Sequence, residues 1–274
     1  HGWLPLVAEH GTIATAGIFL LGLKTGIYAL VRFVLPLLPD AVVRWHDWVV
    51  AFALAGIFYA ATLALMQINL RRMLAFAVIS HTGLLVIGLF SLSHAAFQGS
   101  ILLSITFGTA TAGLLLMSGF VFRRTHTLLL PRLGGLFSHL PVIGTAFLVS
   151  GLSIIGMPGT PGFDAVHLLL EAAILEFGAM LTIAAALGNV AAAAFLLWAF
   201  QRAFLAPLAE DVPPYTLEPP SGMERGIAVM IIVILLGSGF YSKPWLELLE
   251  HSFDGLTALY QDNGHAGSLD LLPH

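Results

Sequence analysis

Five side chains that can carry a proton lie within apolar stretches of this sequence. Lys24 lies in "AGIFLLGLKTGIYALVRF" and His81 in "MLAFAVISHTGLLVIGLF". Asp164, His167 and Glu171 follow a stretch rich in glycine and proline. An ionised group at the bilayer centre costs at least about 2.5–3.5 kcal/mol, so such residues face protein or water and mark functional sites. Held on neighbouring helices, groups of this kind can pass protons from one to the next.

Lys24 and His81 each allow a simpler interpretation. Lys24 lies about a dozen apolar residues into its segment, too deep for its ammonium group to reach the interface easily. Burial disfavours the charged form, which makes proton loss accessible; the alternative is a structural lysine in a permanent pair with a carboxylate. For His81 the alternative is a hydrogen bond that ties two helices together. Their positions on separate spans favour a polar axis across a helix bundle.

Asp164, His167 and Glu171 have helical spacing. Separations of three and four residues place them on one helical face, and the dipole at the start of that helix favours the carboxylate of Asp164. We expect this face to relay protons, and the alternative is a polar patch around a turn at the membrane surface. A metal site of His167 with Asp164 or Glu171 has too few ligands to be favoured.

A helix break precedes this face. It contains Gly156, Pro158, Gly159, Pro161 and Gly162, and prolines and glycines in this number prevent a helix from running through. Backbone groups freed at membrane depth must be buried in protein or line a wet cavity, and broken helices are typical of transport sites. The flanking apolar stretches are each too short to span a bilayer comfortably, which favours one interrupted span over a turn between two spans.

The composition is that of an integral membrane protein. Of 274 residues, 58% are hydrophobic and 9% are charged, whereas soluble domains carry about 25% charged residues. The formal net charge of −4 excludes a generally basic surface that binds nucleic acid. The lack of cysteine excludes disulfides, thiolate metal sites and iron–sulfur clusters within these residues. The opening "HGWLPLVAEHG" leads us to expect a fragment that enters a longer membrane protein mid-chain.

Stretches of about 20 apolar residues predict an all-α, polytopic transmembrane helix bundle with one broken helix. We expect a proton-conducting transmembrane domain of about six spans over residues 1–205, a solvated Pro-rich loop over 206–222, the last span over 223–242, and an amphipathic, flexible tail over 243–274. The expected spans are 12–38, 46–67, 73–93, 97–122, 140–176 with its interruption, 179–205 and 224–241.

Basic residues indicate how these spans are oriented. The connections on one side hold Arg71, Arg72, Arg123, Arg124, Arg132, Arg202 and Arg225, while the other side holds Arg32, Arg44 and Lys243. The positive-inside rule places the first set in the cytoplasm. In the tail, Trp245, Leu246, Leu249 and Phe253 have helical spacing, which predicts a segment that lies along the membrane surface or a partner.

The motifs around these residues resemble those of a known family. "LKTGIYALVRFVLPLLPDA" contains Lys24 and "INLRRMLAFAVISHTGLLVIGLFS" contains His81, and "HGWLP", "FRRTHT…LGGLFSHLP" and "GMPGTPGF" accompany them. As a set, through about residue 205, they are similar to the C-terminal portion of the M-type (chain 4-like) antiporter-like membrane subunit of respiratory complex I. That subunit belongs to the NADH:quinone oxidoreductase and Mrp antiporter family.

The resemblance implies a fold of two inverted five-helix repeats followed by terminal helices, of which this chain has the second repeat. It implies that Lys24 is the family's central lysine and that His81 is the histidine of its tenth span. It also implies that redox chemistry occurs in other subunits, which would bind NADH, FMN, iron–sulfur clusters and quinone, with no cofactor in this chain.

Three positions depart from the family's pattern. Leu6 stands in place of an aspartate, Phe107 in place of a relay histidine, and Val166 in place of the exit glutamate. The stripe of Asp164, His167 and Glu171 could replace that glutamate, but Phe107 offers no proton.

We therefore expect proton translocation by an antiporter-like subunit of a complex I-type NADH:quinone oxidoreductase, in a bacterial inner membrane and among other membrane subunits. Lys24 would be the central carrier, His81 a relay, and Asp164, His167 and Glu171 the exit. One alternative is a subunit of an Mrp-type cation/proton antiporter, a membrane-bound hydrogenase or another ion-coupled complex, which would carry H⁺ or Na⁺. The other is a non-pumping scaffold paralogue.

Overall fold

The computed structural model describes residues 2–208, 218–250 and 253–260, most of which are helical. The main helices are α1 (Trp3–His10), α2 (Ile13–Leu37), α3 (Pro39–Leu65), α4 (Leu70–Phe90), α5 (His94–Thr125), α6 (Pro141–Ile155), α7 (161–177), α8 (179–205), α9 (Gly222–Phe240) and α10 (Lys243–Glu250). Helices α7 and α8 are the two parts of one helical stretch, Pro161–Leu205, which turns at Gly178.

The predicted all-α membrane bundle is confirmed. Within the described residues, α2, α3, α4, α5, the stretch from α7 to α8, and α9 are each long and apolar enough to cross a membrane, and α6 is a shorter apolar helix. Helices α6 and α7 together form the interrupted span, with the break between Ile155 and Pro161. Of the expected Pro-rich loop, residues 209–217 lie outside the described part of the chain.

The chain reverses direction at Gly178. Its φ of 77° and ψ of 174° lie in a region that is open to glycine but strained for other residues. The backbone N–H of Gly135 donates to the carbonyl of Ala206 at 2.7 Å, which places the end of α8 beside the start of α6. At the opposite end, the ring of Phe177 stacks on His46 near the start of α3, with 5.2 Å between centres. Helices α6 and α7 therefore cross the bundle in one direction and α8 returns.

Polar side chains define where the spans begin. Thr12, Asn69 and Ser93 each accept hydrogen bonds from backbone N–H groups in the first turn of α2, α4 and α5. At the start of α9, Ser221 and Glu224 form a reciprocal capping box. A helix leaves its first N–H groups without internal partners, and such caps satisfy them. The short polar connections of the sequence thus serve as helix starts.

Helices α4 and α5 form the centre of the bundle. Most of their side chains are buried, including Phe97 and Phe107 of α5, whereas α2, α3 and α9 expose most of theirs. Helix α8 packs against α3 at Gly188, where a Cβ atom would lie 2.1 Å from Cγ2 of Ile57. The hydroxyl of Ser80 on α4 donates to the carbonyl of the same Ile57 at 3.0 Å. Helix α3 therefore holds α4 and α8 close together.

The basic residues separate to the two ends of the bundle, in agreement with the prediction. Backbone hydrogen bonds join Leu70 to Leu128 at 3.0 Å, and Arg124 pairs with Glu224 across 2.6 Å. This end carries Arg71, Arg72, Arg123, Arg124, Arg132, Arg202 and Arg225, and the opposite end carries Arg32, Arg44 and Lys243. Which end faces the cytoplasm stays a prediction from the positive-inside rule.

The C-terminal segment packs back onto the bundle. Phe253 is buried against Phe97, with ring centres 5.7 Å apart, and the phenol of Tyr260 donates to the carbonyl of Leu35 at 2.7 Å. Burial raises the pKa of Tyr260 to about 12, so this donor keeps its proton. Trp245 on α10 is 46% exposed, which fits the expected amphipathic segment. Residues 251–252 and 261–274 of the predicted tail lie outside the described residues.

Candidate functional site

Lys24 and His81 both lie against one aromatic ring, that of Phe107. Lys24 is half-buried on α2, and its Nζ lies 5.1 Å from the centre of the Phe107 ring. The imidazole of His81 packs edge-on against the same ring, with 4.3 Å between centres, and only 5% of His81 is exposed. A cation over the face of an aromatic ring is attracted by its quadrupole. The structure therefore brings the two predicted residues together around Phe107.

These groups lie at similar depth. Lys24 comes eleven residues after Ile13, the start of α2, and His81 comes eleven residues after Leu70, the start of α4. At a rise of about 1.5 Å per residue, both lie about 16 Å along their helices, close to the middle of a hydrocarbon layer about 30 Å thick. The site therefore lies where an ion is most expensive to hold.

A small cavity joins the two groups. It is lined by Lys24, His81, Phe107 and Thr111, with apolar side chains of α4, α5 and α6 around them. About 10 Å³ of it is open to the centre of a water molecule, which is roughly the room that one buried water needs. Lys24 is the charged side chain in this lining. The cavity thus lies beside both an amine and an imidazole, within largely apolar walls.

The simpler roles fit this geometry poorly. Within residues 2–208, 218–250 and 253–260, no carboxylate forms an ion pair with Lys24. The Nδ1 atom of His81 lies 2.9 Å from the carbonyl of Ala77 in its own helix, so this hydrogen bond ties no second helix. Lys24 therefore forms no permanent ion pair with the described residues, and the Nδ1 hydrogen bond of His81 stays within its own helix.

Asn189 is a third polar group of the site, and the sequence analysis missed it. It lies on α8, eleven residues after the turn at Gly178, and its side chain faces the His81 ring without meeting hydrogen-bond geometry. Its Nδ2 donates to the carbonyl of Ile155 at 2.7 Å, at the broken end of α6. The sequence does indicate such a residue, since Asn189 is the one amide within "AALGNVAAAAF". Polar side chains inside spans commonly form hydrogen bonds to neighbouring helices. We call Lys24, Phe107, His81 and Asn189 the buried line.

Asp164, His167 and Glu171 lie elsewhere, on the outward face of α7, and we call them the outward stripe. Asp164 is half-buried, and His167 and Glu171 are exposed. The ring of His167 stacks on the exposed Phe163, with 6.3 Å between centres and 8° between planes. Helical spacing correctly predicted that the three share a face, but that face points away from the buried line.

Val166, which matches the family's exit glutamate, lies on a different face of α7 from the outward stripe. The stripe therefore does not occupy the position of that glutamate. Val166 is buried on the inner face of α7, 8% exposed, and a Cβ atom on Gly156 would lie 3.3 Å from its Cγ2. The position that matches the glutamate thus faces the helix break, whereas the stripe faces outward. Among the described residues, no cluster of three His, Asp or Glu side chains is arranged to hold a metal ion.

Comparisons with known proteins agree with the fold. The sequence profile described as "NADH:quinone oxidoreductase/Mrp antiporter, TM" matches residues 1–200. NADH-quinone oxidoreductase subunit M of Pseudomonas aeruginosa is 33% identical over 261 residues, covering 93% of this chain and 50% of that protein. The chain therefore spans about half the length of the curated relatives that it matches.

Solved structures have the same architecture. A chain of respiratory complex I from Thermus thermophilus with bound NADH superposes with a TM-score of 0.82 at 29% identity, over 94% of this chain and 55% of that chain. A chain of the Mrp complex from Dietzia sp. DQ12-45-1b gives a TM-score of 0.83 at 20% identity, over 95% of this chain and 57% of that chain. The second likeness is one of fold alone.

Proposed function

This chain belongs to the NADH:quinone oxidoreductase/Mrp antiporter membrane family, and on that premise we propose that it moves protons across a membrane as part of an antiporter-like subunit. The observation that carries the proposal is the pairing of Lys24 and His81 around a cavity at mid-membrane depth. Titratable groups are costly there and are retained where ions or protons pass.

The proposed step moves one proton between the two groups. The ammonium group of Lys24 loses a proton to a water molecule in the cavity, and that water passes a proton to the free nitrogen of the His81 imidazole. The products are a neutral amine and a charged imidazole. Phe107 takes no part in the transfer, but its face stabilises the charge on Lys24. The cavity, rather than the ring, provides the path.

The driving force comes from outside this chain. The proposal places NADH, FMN, the iron–sulfur clusters and quinone in other subunits of a complex I-type assembly in a bacterial inner membrane. A charge change in a neighbouring subunit would alter the relative stability of the protonated forms of Lys24 and His81, which is an energetic coupling between sites. The ion is H⁺ in this proposal, because both groups exchange protons and neither is a typical Na⁺ ligand.

For the outward stripe we propose a narrower role than a relay. Three titratable side chains on the outer face of a membrane helix are unfavourable against lipid, and His167 and Glu171 are exposed in this chain. We propose that an adjacent membrane subunit covers this face. A contribution of Asp164, His167 and Glu171 to proton exit would then need groups from that subunit.

A scaffold without transport is the second candidate. It is favoured by Phe107, an aromatic ring without an exchangeable proton that lies against both Lys24 and His81. In that case Lys24 would be held by the ring and would never transfer its proton.

The deciding experiment uses the two lysines of the sequence, Lys24 and Lys243. In the complete complex in proteoliposomes, Lys24→Met should lower proton transfer at least about hundredfold, the range of a lost acid–base group. The matched control is Lys243→Met, since Lys243 is exposed and pairs with Glu247 at 3.6 Å, and it should transfer protons normally. Equal transfer by both variants would favour the scaffold.

A further inference from the structure

The hydrogen bonds of His81 fix which of its nitrogens can accept a proton. Its Nδ1 lies 2.9 Å from the carbonyl oxygen of Ala77. A carbonyl only accepts, so Nδ1 must carry the hydrogen and donate. In the neutral ring, Nε2 is then an acceptor with a free lone pair. Within the described residues, no group hydrogen-bonds to Nε2, although the atom is buried.

The same reasoning identifies the nitrogen and oxygen ends of the Asn189 amide. One of its polar atoms lies 2.7 Å from the carbonyl of Ile155, and only the Nδ2 end can donate to that oxygen. The Oδ1 end is therefore the one left over, and in the described part of the chain it too is buried without a hydrogen-bond partner. This assignment follows from the acceptor, since the carbonyl of Ile155 has no hydrogen to give.

Two buried acceptors thus lie on facing side chains. The side chain of Asn189 faces the ring of His81, and a buried acceptor without a donor is unfavourable. Only a hydrogen between them satisfies both atoms. It can come from one water molecule that donates to each, or from a second proton on the imidazole, which turns Nε2 into a donor toward Oδ1.

Packing holds Asn189 in this position. The preceding residue, Gly188, lies so close to α3 that a Cβ atom would be 2.1 Å from Cγ2 of Ile57, and Ile57 is bound through its carbonyl to Ser80, the neighbour of His81. The other end of the amide is held by Ile155. Asn189 therefore has a donor contact on one side, and its buried Oδ1 is left as the acceptor for the neighbouring ring.

We propose that Asn189 is a positioning residue that stabilises the charged form of His81 by accepting its Nε2–H through Oδ1. This inference rests on the proposed function, in which His81 receives the proton that Lys24 releases. The balance is simple: the lysine ammonium loses one proton, Nε2 gains one, and the new Nε2–H donates to Oδ1.

Asn189 also links the His81 ring to the helix break. The same amide donates to the carbonyl of Ile155 at the broken end of α6, while Lys24 and His81 line one cavity. Asn189 thus adds an acceptor oxygen for a charged imidazole, which the ring of Phe107 does not have.

The test compares two variants of Asn189 in the complete complex in proteoliposomes. Asn189→Leu has a similar volume and lacks both polar atoms, and it should lower proton transfer about ten- to hundredfold. Asn189→Asp keeps an acceptor oxygen toward the ring and should retain at least about half of the parent rate. The spectroscopic measurement is nitrogen NMR of ¹⁵N-histidine, with the His81 signal assigned by its loss in His81→Gln. At a fixed pH, Asn189→Leu should lower the charged-imidazole signal of His81 at least threefold.

The outcomes separate this inference from the proposed function. If Lys24→Met blocks transfer while Asn189→Leu keeps both the parent rate and the parent His81 signal, the role of Asn189 is wrong and the function stands. If Lys24→Met transfers normally, the proposed function itself fails. If the Asn189→Leu complex does not assemble, the Asn189→Asp variant decides alone. Aspartate loses the donor to Ile155 and keeps the acceptor oxygen. Loss of the charged-imidazole signal of His81 in that variant would overturn the proposal.

Discussion

The buried line and the outward stripe contain similar side chains in opposite surroundings. The buried line draws Lys24, His81 and Asn189 from three helices, and they converge on one aromatic ring and one small cavity. The outward stripe has three titratable groups on one helix, and that helix turns them away from the bundle. Close spacing in sequence therefore did not bring the stripe into the bundle, whereas side chains 57 and 108 positions apart, Lys24 with His81 and His81 with Asn189, come together.

The difference between the buried line and the outward stripe shows that helical periodicity predicts which side chains share a face. Separations of three and four residues place side chains on a common face, but the direction of that face depends on which neighbours the helix packs against. On α7 the inner face is apolar and includes the buried Val166. The stripe is thus left on the outside, on the face for which we propose a cover by an adjacent subunit.

The largest expected difference between the two regions is in proton transfer. His81→Leu should lower transfer in the reconstituted complex by about a hundredfold or more, because it removes an acid–base group at the centre of the buried line. His167→Leu makes the same change on the outward stripe and should lower transfer less than about threefold. Rates from a pH-sensitive dye inside the vesicles measure both, and equal losses would place the stripe on the proton path.

Much of this architecture could be predicted from sequence, and the part that could not has a physical reason. The lengths of apolar stretches predicted the spans, and the prolines and glycines predicted the break between Ile155 and Pro161. Lys24 and His81 stood out because a charge or an imidazole is rare within such stretches. Each of these features is local, so the sequence around it carries the information.

Asn189 did not stand out, because an amide within a span costs less than a charge and has many possible partners. Its role depends on the close contact of Gly188 with Ile57 and on a hydrogen bond to Ile155, 34 residues away. By its resemblance to the family, the sequence predicts only that Phe107 replaces a relay histidine. In the folded chain its ring is also the surface that brings Lys24 and His81 together.

The second prediction compares the same substitution at an inner and an outer aromatic residue. Phe107 is 2% exposed, so Phe107→Ala should lower the free energy of unfolding by about 3–5 kcal/mol through lost packing and a new cavity. Phe163, beside the stripe, is 42% exposed, and Phe163→Ala should cost about 0.5 kcal/mol or less, as surface changes usually do. Denaturant unfolding of the purified complete protein in detergent measures both. A cost at Phe163 as large as at Phe107 would mean that this outer face is packed in the assembled protein.

The third prediction compares a paired carboxylate with an exposed one. Glu224 is 4% exposed, and it accepts hydrogen bonds from Arg124 and the backbone of Ser221. Glu224→Gln should therefore lower the free energy of unfolding by about 1.5–3 kcal/mol, the range for hydrogen bonds to charged groups. Glu171→Gln, on the stripe, should leave stability in detergent nearly unchanged. A double variant with Arg124→Met should cost less than the sum of its parts if the two side chains act as a pair.

The smallest effect is expected at Asp164, the first residue of the outward stripe. Asp164 lies in the first turn of α7, whose positive dipole end favours a carboxylate. Asp164→Asn keeps the shape and removes the charge, so it should lower the free energy of unfolding by about 0.3–1 kcal/mol, and high salt should shrink that difference. Proton transfer should stay within about twofold of the parent, because Asp164 touches none of the side chains of the buried line. If Asp164→Asn instead stops transfer while stability in detergent is kept, the carboxylate belongs to the proton path, and the adjacent subunit that covers α7 must complete it.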